Sequence, residues 1–104
     1  MDNLKKLIEK SRRGDRRAQD QLILKVQNRV YYHCRKILSN EEDALDATQD
    51  ILIAMLKGLG NLREAASFWP WLNRITANIC CKHLRAIREQ PFPELDTMPQ
   101  VYEN

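Results

Sequence analysis

Apolar positions recur along this chain at three- and four-residue steps, in four stretches divided by polar or glycine-containing breaks. That period belongs to an α-helix with one buried face. Leu4, Leu7 and Ile8 mark a short first helix. Gly14 is placed to close it in a left-handed conformation, which costs glycine no Cβ clash, and Asp15 is the expected N-cap of the next helix. The second helix spans about Arg16 to Leu38. Leu22, Ile23, Val26, Val30, Cys34 and Ile37 form its stripe, Tyr31 and Tyr32 flank it, and Arg16, Arg17, Lys25, Arg29, Arg35 and Lys36 lie mostly elsewhere.

Ser39-Asn40 breaks the pattern. Asn40 followed by Asp43 resembles a capping box, and the acids of the first turn complement the helix dipole. The third helix then runs to about Lys57, with Gly58 and Gly60 ending it. Its buried face is expected to centre on Leu45, joined by Ala44, Thr48, Ile51, Leu52, Met55, Leu56 and Leu59. Asp43, Asp46, Gln49, Asp50, Ile53 and Lys57 fall on the opposite side. Residues 61–66 read as a loop. Ser67 is the expected cap of a fourth helix that reaches about Glu89, with Pro70 tolerated in its first turn. Phe68, Leu72, Ile75, Ile79 and Ala86 define its buried side. Trp71, Arg74, Asn78, Cys81, Arg85 and Arg88 share the other, with Lys82 at the edge. No segment passes the period-two test for a strand, and no internal repeat is present. The expected fold is all-α, a compact bundle of four helices over residues 1–90. Pro91, Pro93 and Pro99 stop helix formation, so residues 91–104 read as a flexible acidic linker.

Composition adds bounds. A chain of 104 residues is one small domain with a modest core. The net charge of +3 is mild, but Met1 to Lys36 holds eleven basic residues and four acids. Such an excess is either a solvated face or a phosphate-facing one. The three cysteines are odd in number and two are adjacent, Cys80 and Cys81, which argues against a disulfide framework and for reduced thiols. No apolar run is long enough for a membrane span, and no signal-peptide core opens the chain. A cytoplasmic, non-membrane protein is expected.

The charge distribution carries the functional signal. From Ile37 to Leu56 there is no Lys or Arg, yet Glu41, Glu42, Asp43, Asp46 and Asp50 are present. From Trp69 to Arg88 the chain is basic and aromatic. An acidic helix beside a basic, aromatic one fits two macromolecular partners, a protein and a nucleic acid. Ile53, ringed by Asp46, Gln49 and Asp50, has the makings of a small interface centre with a polar rim; a solvated acidic face carrying a stray isoleucine is the plain alternative. Arg, Asn and indole side chains on one strip supply phosphate pairing, base-edge reading and stacking. Trp69 and Trp71 could equally serve the core. Nothing marks a catalytic cleft, so no enzyme is expected. His33, Cys34, Cys80, Cys81 and His83 do not have tetrahedral zinc spacing, so no metal or other cofactor is expected.

The run Ala44-Leu45-Asp46-Ala47-Thr48-Gln49-Asp50, followed by Phe68-Trp69-Pro70-Trp71-Leu72-Asn73-Arg74-Ile75-Thr76-Ala77-Asn78, closely resembles region 2 of bacterial RNA polymerase sigma factors, best the extracytoplasmic-function (ECF) type. Gly14-Asp15 with Ala18 and Leu22 fits the start of that region, and the resemblance covers roughly Leu4 to Arg88. It implies that the acidic helix docks on the clamp helices of the core polymerase β′ subunit through Asp46, Gln49, Asp50 and Ile53. It also implies that the following loop and basic helix recognise and help melt the promoter minus-ten element, with a base of the single-stranded non-template strand flipped into a pocket. The matching positions are Asn61, Ser67 and Phe68 in the loop and Trp71, Arg74, Asn78, Lys82 and Arg85 in the helix. An anti-sigma factor is a further candidate partner. Many members of that family carry Arg where this chain has Ala77 and an acid where it has Lys82, which leaves the promoter sequence open; Leu52 stands where Phe is common, a mild core change. Such factors usually continue into a helix-turn-helix region 4, so an isolated domain is expected from a chain that stops at Asn104. The rival reading is a helical DNA-binding regulator that does not bind polymerase.

Overall fold

The computed structural model describes residues 3–89. Four α-helices follow in order: α1 over Asn3–Arg12, α2 over Arg16–Ile37, α3 over Glu41–Gly58 and α4 over Phe68–Arg88. Two single 3-10 turns, Leu59–Asn61 and Ala65–Ser67, join α3 to α4, and no strand occurs among the described residues. The linker expected at 91–104 lies outside the described residues.

The helix boundaries follow from local chemistry. Gly14 adopts φ 94°, the left-handed state expected of it. The Asp15 N–H then donates to the Lys10 carbonyl and the Gly14 N–H to that of Ser11, so α1 ends in a Schellman motif. Asp15 caps α2, its Oδ1 accepting from the Ala18 N–H at 3.1 Å. Asn40 caps α3, its Oδ1 accepting from the Asp43 N–H at 3.0 Å. Ser67 does not cap α4 as expected. It closes a 3-10 turn with φ −90° and ψ 7°, outside the extended backbone that aims an N-cap side chain at the helix, and its hydroxyl makes no cap hydrogen bond.

α1 packs on α2, α2 on α3 and α3 on α4, while α4 also touches α2. The core is built from Leu7 and Ile8 of α1, Leu22, Val26, Val30 and Cys34 of α2, Ala44, Ala47, Ile51 and Met55 of α3, and Phe68, Leu72 and Cys80 of α4. Thr48 and Thr76 are buried too; each hydroxyl donates to the carbonyl four residues earlier, Ala44 at 2.7 Å and Leu72 at 2.9 Å, so neither costs the core an unmet donor.

Two burial expectations are corrected. Leu45 does not sit at the centre of the buried face of α3; it is 48 % exposed, and Ala44, Ala47 and Thr48 take the inward positions instead. Small residues there let α3 approach its neighbours closely, and the bulkier leucine is turned outward. Ala86 is also exposed, the inward face of α4 running through Phe68, Leu72, Thr76 and Cys80.

Candidate functional site

The outer face of α3 carries Leu45, Asp46, Gln49, Asp50 and Ile53, all exposed. Leu45 and Ile53 are two turns apart and lie on one side, 48 % and 51 % exposed. The isoleucine in a ring of acids is therefore one of two half-exposed apolar side chains on this face. Helical period alone does not show which part of a broad apolar face lies inward. The signal available was the run of small residues, Ala44, Ala47 and Thr48, which marks the side of closest helix contact. Asp50 is the exception on this face, since its carboxylate accepts from His83 Nε2 of α4 at 2.9 Å. The carboxylate can only accept, so Nε2 carries the proton.

On the other side, the segment joining α3 to α4 is pinned by Leu59 and Leu62, both buried. Arg12 of α1 adds a hydrogen bond from its guanidinium to the Arg63 carbonyl at 3.3 Å. Held this way, the segment forms one wall of a cleft of about 510 Å³ whose other wall is the first two turns of α4. Asn61, Ser67, Trp71 and Arg74, all singled out from sequence, line it together with Leu62, Arg63 and Pro70. The Trp71 indole lies against the end of α3, so close that a Cβ on Gly58 would come within 3.0 Å of its Cζ2. A glycine at that point leaves room for the indole. Asn78, Lys82 and Arg85 continue down the exposed side of α4, away from the cleft. Lys82 stands beside Asp50 and His83 at the α3–α4 seam.

Phe68 is the clear correction among the site residues. Its ring is 1 % exposed and serves the core, with the Trp69 and Trp71 rings packed around it at centroid separations of 5.2 and 6.0 Å. It supports the cleft from beneath and offers no surface to a ligand. Trp69 is half-buried and stacks under Arg29 of α2, whose guanidinium carbon lies 3.9 Å from the ring centroid.

His33, Cys34, Cys80, Cys81 and His83 carry the donor atoms that a metal would need. No group of three or more His, Cys, Asp or Glu among the described residues could hold one. Cys34 and Cys80 do meet in the core, 46 residues apart in sequence and 3.6 Å between sulfurs, with the Cys80 thiol donating. That hydrogen bond draws the Cys34 thiol down to about 7 against the opposing effect of burial, and raises Cys80. Cys81 is exposed.

Comparison with known proteins gives this geometry a context. The family profile of Sigma-70 region 2 matches residues 22–89, most of the chain. The chain belongs to the Sigma-70 region 2 family. It is 36 % identical over 90 residues to a protein named RNA polymerase sigma-H factor from Pseudomonas aeruginosa, covering 86 % of this chain and 46 % of that protein. It is 35 % identical over 88 residues to the ECF RNA polymerase sigma factor SigM of Mycobacterium tuberculosis, covering 85 % and 45 %. Against the ECF RNA polymerase sigma-E factor of Haemophilus influenzae it is 29 % identical over 98 residues, covering 94 % and 51 %. The chain thus spans about half the length of the curated relatives it matches. The ECF type of region 2 inferred from the sequence motifs agrees with these relatives. No helix among the described residues is long and apolar enough to cross a membrane.

Proposed function

We propose that this region 2 domain binds core RNA polymerase through the outer face of α3 and recognises and melts the promoter minus-ten element through α4 and the segment before it. The observation that carries the reading is the cleft. Four residues that the family motif assigns to strand capture, Asn61, Ser67, Trp71 and Arg74, converge on one recess beside an exposed Arg–Asn–Lys strip. A recess lined by an indole and by guanidinium groups suits a base swung out of the stack, and capture there offsets part of the unstacking cost.

The α3 face suits a protein partner. Two half-exposed aliphatic side chains sit among Asp46, Gln49 and Asp50, an apolar centre with a polar rim. The β′ clamp helices are the proposed partner. An anti-sigma factor that covered the same face would act as a competitor. The role is one of binding, not of catalysis, and it is carried out in the cytoplasm. A DNA-binding regulator that never meets polymerase is disfavoured, because the family match includes all of α3.

The DNA half of the proposal is tested by anisotropy with labelled single strands of minus-ten sequence. Asn78→Ala reduces discrimination among strands, since an amide reads base edges. Arg85→Ala weakens all strands alike and makes the salt dependence shallower by about 0.7, the value of one phosphate contact on a single strand. Unchanged binding by both variants would remove α4 as the reader.

A further inference from the structure

A second cleft, of about 490 Å³, lies between α2 and α4, lined by Arg29, Tyr32, His33, Lys36 and Asn73. None of the five is acidic. The family motif assigns no role to any of them, and the proposed function above uses none. Asn73 precedes Arg74 directly in α4, so this cleft begins one residue from the recess proposed to capture a base.

Three features separate it from an ordinary solvated helix face. Tyr32 is 64 % exposed and is the one aromatic among the large exposed apolar side chains of the described residues. Its ring is braced edge-on by Tyr31 at 5.5 Å, and the core gains little from it. Arg29 is held over Trp69 rather than left free to wander. The contact with the ring holds the guanidinium in place, so the group binds phosphate with less ordering left to do. Lys36, one turn beyond Tyr32, adds a second cation on the same wall.

We infer that this cleft is a second contact for single-stranded DNA, in which Arg29 and Lys36 hold phosphates and Tyr32 stacks on an unpaired base of the strand opened at α4. The inference rests on the proposed reading of α4 and extends it to α2. A single strand is the fitting ligand because a protruding ring can stack only on a base whose face is open, and a duplex closes those faces. Phosphate contacts alone would serve a duplex equally well.

The test uses photocrosslinking of the protein to mixed-sequence single-stranded DNA in which 5-iodouracil replaces thymine, a base that couples to neighbouring aromatic rings on irradiation. Tryptic cleavage separates residues 30–35, which carry Tyr32, from residues 64–74, which carry Trp71. Adducts are expected on both peptides, and far fewer on 30–35 with a duplex of the same sequence. The double variant Tyr32→Ala, Lys36→Gln changes two exposed side chains, and its fold is checked by thermal melting. It is expected to lose the 30–35 adduct, keep that on 64–74, bind single strands about tenfold more weakly and show a salt dependence shallower by about 0.7. Adducts confined to 64–74, with affinity unchanged in the variant, overturn this inference and leave the α4 reading standing. Equal adducts on 30–35 from duplex and single strand overturn the single-strand assignment. No adduct on either peptide overturns both.

Discussion

Leu45 offers the sharpest prediction, because its placement runs against its chemistry. Leu45 and Ile53 are each about half exposed on the outer face of α3. Complete burial of such a side chain is worth about 1.5–3 kcal/mol, so closing the open half yields roughly 0.8–1.5 kcal/mol per residue. The double variant Leu45→Ala, Ile53→Ala should therefore weaken docking by about 1.5–3 kcal/mol, a rise in Kd of roughly ten- to a hundredfold. The fold should tolerate it, since neither side chain belongs to the core cluster. Biolayer interferometry against an immobilised β′ clamp-helix fragment reads the loss, and circular dichroism melts confirm that both proteins are folded. An unchanged Kd in a folded double variant would falsify the claim that these two side chains anchor the interface. A collapse of the melting temperature would show instead that they support the bundle.

Three further outcomes follow from named contacts. Asp46→Lys with Asp50→Lys should slow association with the same fragment and reverse its salt dependence, because rim charges act mainly on encounter; retention of the wild-type on-rate would count against an electrostatic rim. Gly14→Ala should cost about 1–2 kcal/mol, since φ 94° places a new Cβ in the disfavoured left-handed region, and the melting temperature should drop by several degrees. No measurable drop would mean that α1 ends differently. In the native protein Cys81 alone should react quickly with a thiol reagent, because Cys34 and Cys80 are both 0 % exposed, and all three should react in denaturant. Three fast thiols without denaturant would contradict the packing of α2 on α4.

Much of the fold was legible because its punctuation is local. Asp15, Asn40 and Gly14 act through bonds to residues within five positions, and a single sequence displays such bonds openly. Ser67 was misjudged for the same reason. Its type suits an N-cap, but the 3-10 turn before it fixes a backbone that does not. Leu45 was misplaced because helical period tells which residues share a face, not which face lies nearest a neighbour; the inward choice falls to Ala44 and Ala47, which permit the closer approach. That Arg74, Asn78, Lys82 and Arg85 share the exposed side of α4 was readable from their spacing, whereas the cleft was not. Asn61 and Arg74 line one recess only because Leu62 and the Arg12–Arg63 bond fold the connecting segment back. The pairing of Asp50 with His83, and of Cys34 with Cys80, likewise joins residues from different helices that no single-sequence pattern relates.

The most direct test of a domain with two working faces is amide chemical-shift mapping of the protein, titrated separately with the β′ clamp-helix fragment and with single-stranded minus-ten DNA. Apart from the seam where Asp50 meets Lys82 and His83, two separate sets of perturbed residues are expected, one over 45–53 for the fragment and one over 61–85, with 29–36 from the inferred second contact, for the strand, each ligand still able to bind in the presence of the other. Sets overlapping beyond that seam, mutual exclusion, or a silent α3 would contradict the account.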